Sequence, residues 1–234
     1  MSAWGQLVDY LTTTANWTGQ AGILHRLEQH AALTGVSVAI AAAVALPLGL
    51  ALGHHGRGGN LAINITNVGR AIPTFAVLTL LTLSPVGIGN TSTVIALILF
   101  ALPPLVTNSY IGVREVDPEA RDAARGMGMS GWQLFRRVEL PLGMPLIMAG
   151  IRIATVQVVA TATIAALVGA GGLGRLITDG LSSHNQGELL SGAVVVALLA
   201  VVVESGLALV QRRVDPVRRL RAGAGFEPGA VTTS

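Results

Sequence analysis

The sequence predicts an all-α integral membrane protein, and three observations carry that prediction. Of its 234 residues 51% are hydrophobic and only 12% charged, and the mean hydropathy of +0.64 lies outside the range of ordinary soluble domains. Uncharged runs recur at the length a bilayer demands, about 20 residues for a spanning helix. The remaining charges gather between those runs, and Arg supplies all 15 basic residues.

Two residue types are missing altogether, Lys and Cys. Their absence excludes a Walker A lysine, a Schiff base, a thiol nucleophile, a disulfide framework and cysteine-ligated zinc or iron–sulfur sites. If ATP drives this protein, another chain must hydrolyse it, and no cofactor is expected in this one. The pI is near 10.5. Because the Arg residues sit beside apolar runs and no aromatic-interleaved basic surface is present, the expected partner is the lipid bilayer and not nucleic acid.

Along the chain, residues 1–30 read as an external or interfacial segment. Trp4, Leu7, Val8 and Leu11 recur at helical spacing, as in an amphipathic helix lying at a membrane surface. No basic residue precedes His25, so cleavage as a signal peptide is not expected. Ala31 to Gly53 is the first uncharged run, closed by the turn His54, His55, Gly56, Arg57, Gly58, Gly59. Ala71 to Val113 is too long for one helix and is divided by Ser84, Pro85, Val86, Gly87, Ile88, Gly89 and Asn90, which makes two spans. Ile153 to Gly174 gives a fourth and Leu189 to Val210 a fifth, interrupted only by Glu204. Five core spans thus fill residues 31–210, with a long loop at 114–141 and an Arg-rich tail, expected to be disordered, at 211–234.

Five spans place the termini on opposite sides. Arg57, Arg114, Arg121, Arg125, Arg136, Arg137, Arg212, Arg213, Arg218, Arg219 and Arg221 fall on one side, against Arg26 and Arg175 on the other. The positive-inside rule then puts the 114–141 loop and the C-terminus in the cytoplasm and the N-terminus outside. Within the loop, Asp117-Pro118-Glu119 is a helix start: Asp caps free N–H groups, Pro suits the first helical position and Glu complements the dipole. Gly126 or Gly128 can end that helix in a left-handed conformation. Ser130-Gly131-Trp132-Gln133 spells a capping box for a second helix that meets Pro141 at the membrane edge and continues into a span.

The same loop holds Asp122, Ala123, Ala124, Gly128, Val138, Leu140 and Pro141. Their spacing resembles the Glu-Ala-Ala, three residues, Gly, nine residues, Ile, one residue, Leu-Pro signature of membrane subunits of binding-protein-dependent ABC importers, with Asp122 for Glu and Val138 for Ile. The resemblance implies five core helices of the type I importer permease (methionine-permease-like) fold in a bacterial inner membrane. It implies that Asp122, Ala123, Ala124 and Gly128 dock into a groove on an ATP-binding subunit, which alone binds ATP and Mg. A second permease subunit, identical or homologous, is expected to complete the pathway.

Further similarity runs from about residue 30 to 210. His30 with Leu46-Pro47-Leu48-Gly49, the stretch Ala71 to Leu78, and above all Val168 to Leu173 resemble the osmoprotectant branch, which imports glycine betaine, choline, carnitine and related compounds. Only 24 residues follow Val210, too few for a fused binding domain, so an extracytoplasmic substrate-binding protein is expected as a separate chain. Quaternary ammonium recognition favours aromatic cages, and with nine aromatic residues here the cage is expected in that partner. Phe75 and Phe100 are candidates to line the passage, or else face lipid or pack.

Gly169, Gly171, Gly172 and Gly174 are candidates for a gate at the outer end of the fourth span, or are small residues that let helices pack closely. Gly169, Gly171 and Gly174 also spell G-x-G-x-x-G, with Glu188 downstream, but a membrane span precedes them where a dinucleotide site needs a strand. Gly128-Met129-Ser130-Gly131 resembles an intramembrane serine protease motif with His184 as base, yet Ser130 lies in an Arg-rich loop with a cap to form. Arg70, Arg152 and Glu204 read as snorkelling charges unless two of them pair across helices. Pro103 and Pro104 should bend the third span, and His54 and His55 read as turn residues rather than metal ligands. Two alternatives stand beside the osmoprotectant reading: an ABC permease for an amino acid such as methionine, and an ion-coupled secondary transporter, which would show internal repeats and acidic residues deep in its spans.

Overall fold

In the computed structural model, residues 2–56, 58–59, 63–64, 68–69 and 72–214 are described, and they form helices joined by turns. Arg57, Arg70, Arg218, Arg219 and Arg221 lie outside them. The first helix, α1 (Ala3–Thr12), is capped by the Ser2 hydroxyl accepting from the Gly5 N–H and turns Leu7 inward, while Trp4 and Val8 stay exposed. The first long helix, α2 (Ile23–His55), begins eight residues before the expected span. A boundary at residue 30 cuts through it, because His25, Arg26 and Glu28 extend the helix beyond its apolar stretch without interrupting it.

The uncharged run after α2 divides at the expected turn, but unequally. Its first half contributes α3 (Thr74–Leu83), ten residues or about 15 Å at 1.5 Å per residue, half of a hydrocarbon core of about 30 Å. Among the described residues this short apolar helix is what stands in the place of the expected second span. Its second half is α4 (Asn90–Arg114), which continues through Pro103 and Pro104. The loop follows as α5 (Pro118–Gly126) and α6 (Gly131–Leu134). From α6 the chain passes without a break through a π-helical turn (Phe135–Glu139) into α7 (Leu140–Ile164) and a closing 3-10 turn (Ala165–Val168).

The fourth span is thus a rod covering Gly131–Val168 rather than 153–174, and the glycine segment lies past its end. Arg152, where the apolar run was cut, sits inside the helix because Glu204 faces it at 2.8 Å. A short helix the sequence reading missed, α8 (Gly174–Ser182), precedes α9 (Gln186–Val214). The start of the tail at residue 211 therefore belongs to the last helix. Among the described residues, four helices are long and apolar enough to cross a bilayer: α2, α4, the Gly131–Val168 rod and α9.

The core is the meeting of α2, α4 and α7, and small residues make it possible. Ala41, Ala45, Ala101, Ala154 and Ala162 are fully buried with Leu97, Leu105 and Val158. A Cβ at Gly143 would lie 2.4 Å from the Gly112 carbonyl, and one at Gly112 2.9 Å from the Gly143 carbonyl, so backbone touches backbone where α4 crosses α7. Such crossings are how membrane helices gain dispersion contact without a hydrophobic driving force. Gly143→Leu is expected to overpack this crossing and cost roughly 1–3 kcal/mol, read as a lower thermal midpoint of the purified protein. Buried hydroxyls are satisfied within their own helices, Ser37 donating to Leu33 O at 2.7 Å and Ser109 to Leu105 O at 2.6 Å.

These crossings define two ends of the bundle. Gly53 meets Tyr110 and Val113, so the C-terminal ends of α2 and α4 lie together and the two helices run parallel. Between His55 and Asn90 the chain must therefore pass from one end to the other. The N-terminus of α7 and the C-terminal part of α9 share the first end, where Gln211 donates to Pro145 O at 3.0 Å. At the opposite end the starts of α2 and α4 meet the glycine segment, through Gln29 and Asn90.

Candidate coupling site

The 114–141 loop forms as its caps dictate. Asp117 Oδ1 accepts from the Glu119 N–H at 2.9 Å, with Pro118 in the first turn of α5. Gly128, at φ +80°, ends the helix: its N–H donates to Arg125 O at 2.9 Å and the Met129 N–H to Ala124 O at 3.2 Å. This pair of bonds is a Schellman motif with Gly128 as the left-handed residue. The capping box closes in both directions, Gln133 N–H to Ser130 Oγ at 3.3 Å and Ser130 N–H to Gln133 Oε1 at 2.9 Å.

The signature residues divide by face. Asp122, Ala123 and Gly128 are exposed, whereas Ala124 is buried against this chain, so the small size of Ala124 serves internal packing. Val138, Leu140 and Pro141 are half-buried at the π turn and the start of α7. Proline lacks an N–H and its ring crowds the carbonyl four residues back. The wider π turn just before it, in which the Leu140 N–H reaches Phe135 O, accommodates that defect. Met127 and Trp132 add exposed apolar surface on either side of the Schellman turn, at 71% and 66% of full exposure.

Beneath α5 lies a cluster that the sequence reading did not assemble. Glu139, wholly buried in the π turn, places one carboxylate oxygen 2.7 Å from Arg121 Nη2 of α5 and the other 2.5 Å from His54 Nδ1 at the end of α2. Arg121 also donates to the Val113 carbonyl in the last turn of α4 at 3.3 Å, where free carbonyls and the helix dipole favour a cation. The His54 ring stands edge-on to Phe135, 5.4 Å between centroids. His54 is therefore more than a turn residue. Its apolar surroundings form a groove between α2 and α6 that includes Pro47, Ala51 and Trp132.

At the opposite end, Gly169 (φ +86°) and Gly172 (φ +93°) adopt left-handed backbone and make the turn between the rod and α8. The turn is held from two sides: Gly172 N–H donates to Gln29 Oε1 at 3.1 Å and Gly171 N–H to Asn90 Oδ1 at 3.4 Å. A Cβ at Gly174 would meet Thr163 O at 2.2 Å, so close packing applies there. His30 is buried beneath the turn and bonds Val159 O through Nε2 at 3.0 Å. Phe100 lines an apolar concavity of about 240 Å³ with Val77, Ala96 and Pro103, while Phe75 is half exposed on α3. Arg152 and Glu204, read as snorkelling charges, instead pair across α7 and α9, and Gln211 joins them at 2.7 Å from Arg152.

Comparison with known proteins bears on the chain as a whole. Residues 34–219 match the family described as binding-protein-dependent transport system inner membrane component. A carnitine transport permease of Listeria monocytogenes is 39% identical over 83% of this chain and 90% of its own. A glycine betaine/carnitine/choline transport system permease of Bacillus subtilis is 33% identical over 85% and 91%. An osmoprotectant import permease of Salmonella typhimurium is 38% identical over 84% of each. Among solved structures, the MetNI methionine ABC transporter in inward facing conformations shares the fold with a TM-score of 0.72 at 23% identity, covering 82% of this chain and 95% of that one. With a family match over most of its length, a fold shared with ABC permeases and several helices fit to cross a bilayer, the chain belongs to the binding-protein-dependent inner-membrane transport components, as a multi-pass permease subunit.

Proposed function

We propose that this permease subunit imports osmoprotectants of the glycine betaine, choline or carnitine class. The observation that carries the substrate class is extended similarity to permeases named for those solutes, over four-fifths or more of the chain. The chain crosses the membrane five times, with α3 inside the second crossing, its N-terminus outside and its C-terminus in the cytoplasm. The gathering of Arg114, Arg121, Arg125, Arg136, Arg137, Arg212 and Arg213 around one end of the bundle supports that orientation. Membership in a binding-protein-dependent family leaves no place for ion-coupled transport.

At the cytoplasmic end α5 docks on a partner ATPase, which binds ATP and Mg. Asp122, Ala123 and Gly128 present the docking face, Ala124 seats the helix from behind, and Val138, Leu140 and Pro141 carry its motion into α7. Exposed Met127 and Trp132 extend the apolar part of that face. A second permease subunit completes the pathway, because the buried Ala, Leu and Val core of the described residues gives a polar solute no partners within a single bundle. Alternating access follows from movement of the spans between inward- and outward-open arrangements. The turn of Gly169, Gly171, Gly172 and Gly174 gates its outer end, beside the concavity under Phe100.

Reconstitution in proteoliposomes with the ATPase and an external binding protein tests the reading. Binding protein loaded with glycine betaine, choline or carnitine is expected to stimulate ATP hydrolysis and drive uptake of the labelled solute. Stimulation by a methionine-loaded binding protein, with none by the betaine-loaded one, would replace the osmoprotectant reading with the amino-acid one.

A further inference from the structure

We propose that Glu139 is the positioning residue through which motion of α5 reaches the membrane spans. The inference rests on the reading that α5 docks the ATPase, and it concerns how the force leaves that helix. Of the nine residues of α5, only Arg121 and Ala124 are buried. A helix this short does not hold itself in place in water, so its orientation depends on those two attachments. Ala124 contributes a flat, non-directional contact. Arg121 contributes charge, its Nη2 2.7 Å from Glu139 Oε1 as an ion pair, and one hydrogen bond, donated to the Val113 carbonyl at 3.3 Å.

Glu139 is the hub. It is wholly buried, it belongs to the π turn that starts α7, and its second oxygen reaches His54 of α2 at 2.5 Å. One carboxylate therefore joins the docking helix to the rod and to α2, while Arg121 adds α4. These are the helices that make up the core. A buried ion pair is a poor way to gain stability, since apolar residues of equal volume commonly do as well or better. What it supplies is attachment: the carboxylate holds His54 by a hydrogen bond and Arg121 by charge at close range, whereas an apolar contact lets its partners slide.

The test uses the full complex, permease with ATPase and binding protein in proteoliposomes, and measures glycine betaine imported per ATP hydrolysed. Glu139→Gln is expected to leave ATPase co-purification and hydrolysis in place while lowering the transport-to-hydrolysis ratio at least fivefold. Arg121→Met combined with Glu139→Gln removes both charges, so no ion is left buried alone. The double variant is expected to recover a near wild-type thermal midpoint and still transport poorly per ATP. If its ratio returns to the wild-type value along with its stability, the cluster is structural only and the proposal is overturned. Failure of the wild-type chain to bind an ATPase at all would instead sink the docking reading, so the two failures are distinct.

Discussion

Arg121→Met, made alone, is expected to destabilise the permease by roughly 3–5 kcal/mol, the range for removing one partner of a buried ion pair. The size follows from what is left behind. Glu139 is fully buried, and without Arg121 its carboxylate keeps only the hydrogen bond to His54; the Val113 carbonyl is left with the Val116 N–H at 3.4 Å as its donor. Thermal unfolding of the purified protein reads the effect. Arg125→Met, one turn away on the same helix, is the control: its pair with Asp122 at 3.3 Å is largely exposed, and its loss should cost less than about 1 kcal/mol. Equal shifts for the two variants would show that the Arg121 site is open to water and that the cluster is not buried in the working protein.

Gly128→Val should weaken ATPase association about tenfold or more, since left-handed backbone costs an L-residue roughly 1–2 kcal/mol and β-branching adds to it. At φ +80° the Schellman turn would have to open, and with it the angle at which α5 stands on the loop. Gly126, two positions earlier, is helical and has open space where a Cβ would go. Gly126→Ala should therefore stabilise the same helix by up to about 1 kcal/mol and leave association intact. Co-purification of the ATPase with each variant measures both. If Gly128→Val binds as well as the parent, the ATPase does not read the geometry of this turn.

Local chemistry made most of the loop legible before any coordinates. Asp117, Pro118, Ser130, Gln133 and Gly128 act over three to five residues, and their hydrogen bonds close as their types demand. Span boundaries were less legible because hydropathy marks where charge stops and a helix need not stop there. His25, Arg26 and Glu28 lie inside α2, and Arg152 lies inside α7 with its partner Glu204 on another helix. The Arg121–Glu139–His54 cluster was not legible at all, since its members are 18 and 85 residues apart and no periodicity links them. One signal was available: Glu139 is the sole acidic residue between Asp122 and Asp179, standing among arginines at the mouth of a span. The mixed outcome for the glycine turn has the same cause, because positive φ can be guessed from composition whereas the anchors Gln29 and Asn90 come from the far ends of other helices.

The unbroken passage from the π turn to the glycine turn makes the Gly131–Val168 rod a lever. From Glu139 to Gly169, about 30 residues at 1.5 Å each span roughly 45 Å; its foot is held by the Glu139 cluster, and the glycine turn past its tip is held by hydrogen bonds of 3.1 and 3.4 Å together with buried Ala170 and Leu173. By that geometry a tilt of only about 5° at the foot carries the tip roughly 4 Å, more than either bond can stretch. A tilt that moves the foot beside α5 only slightly is thus a several times larger displacement at the glycine turn.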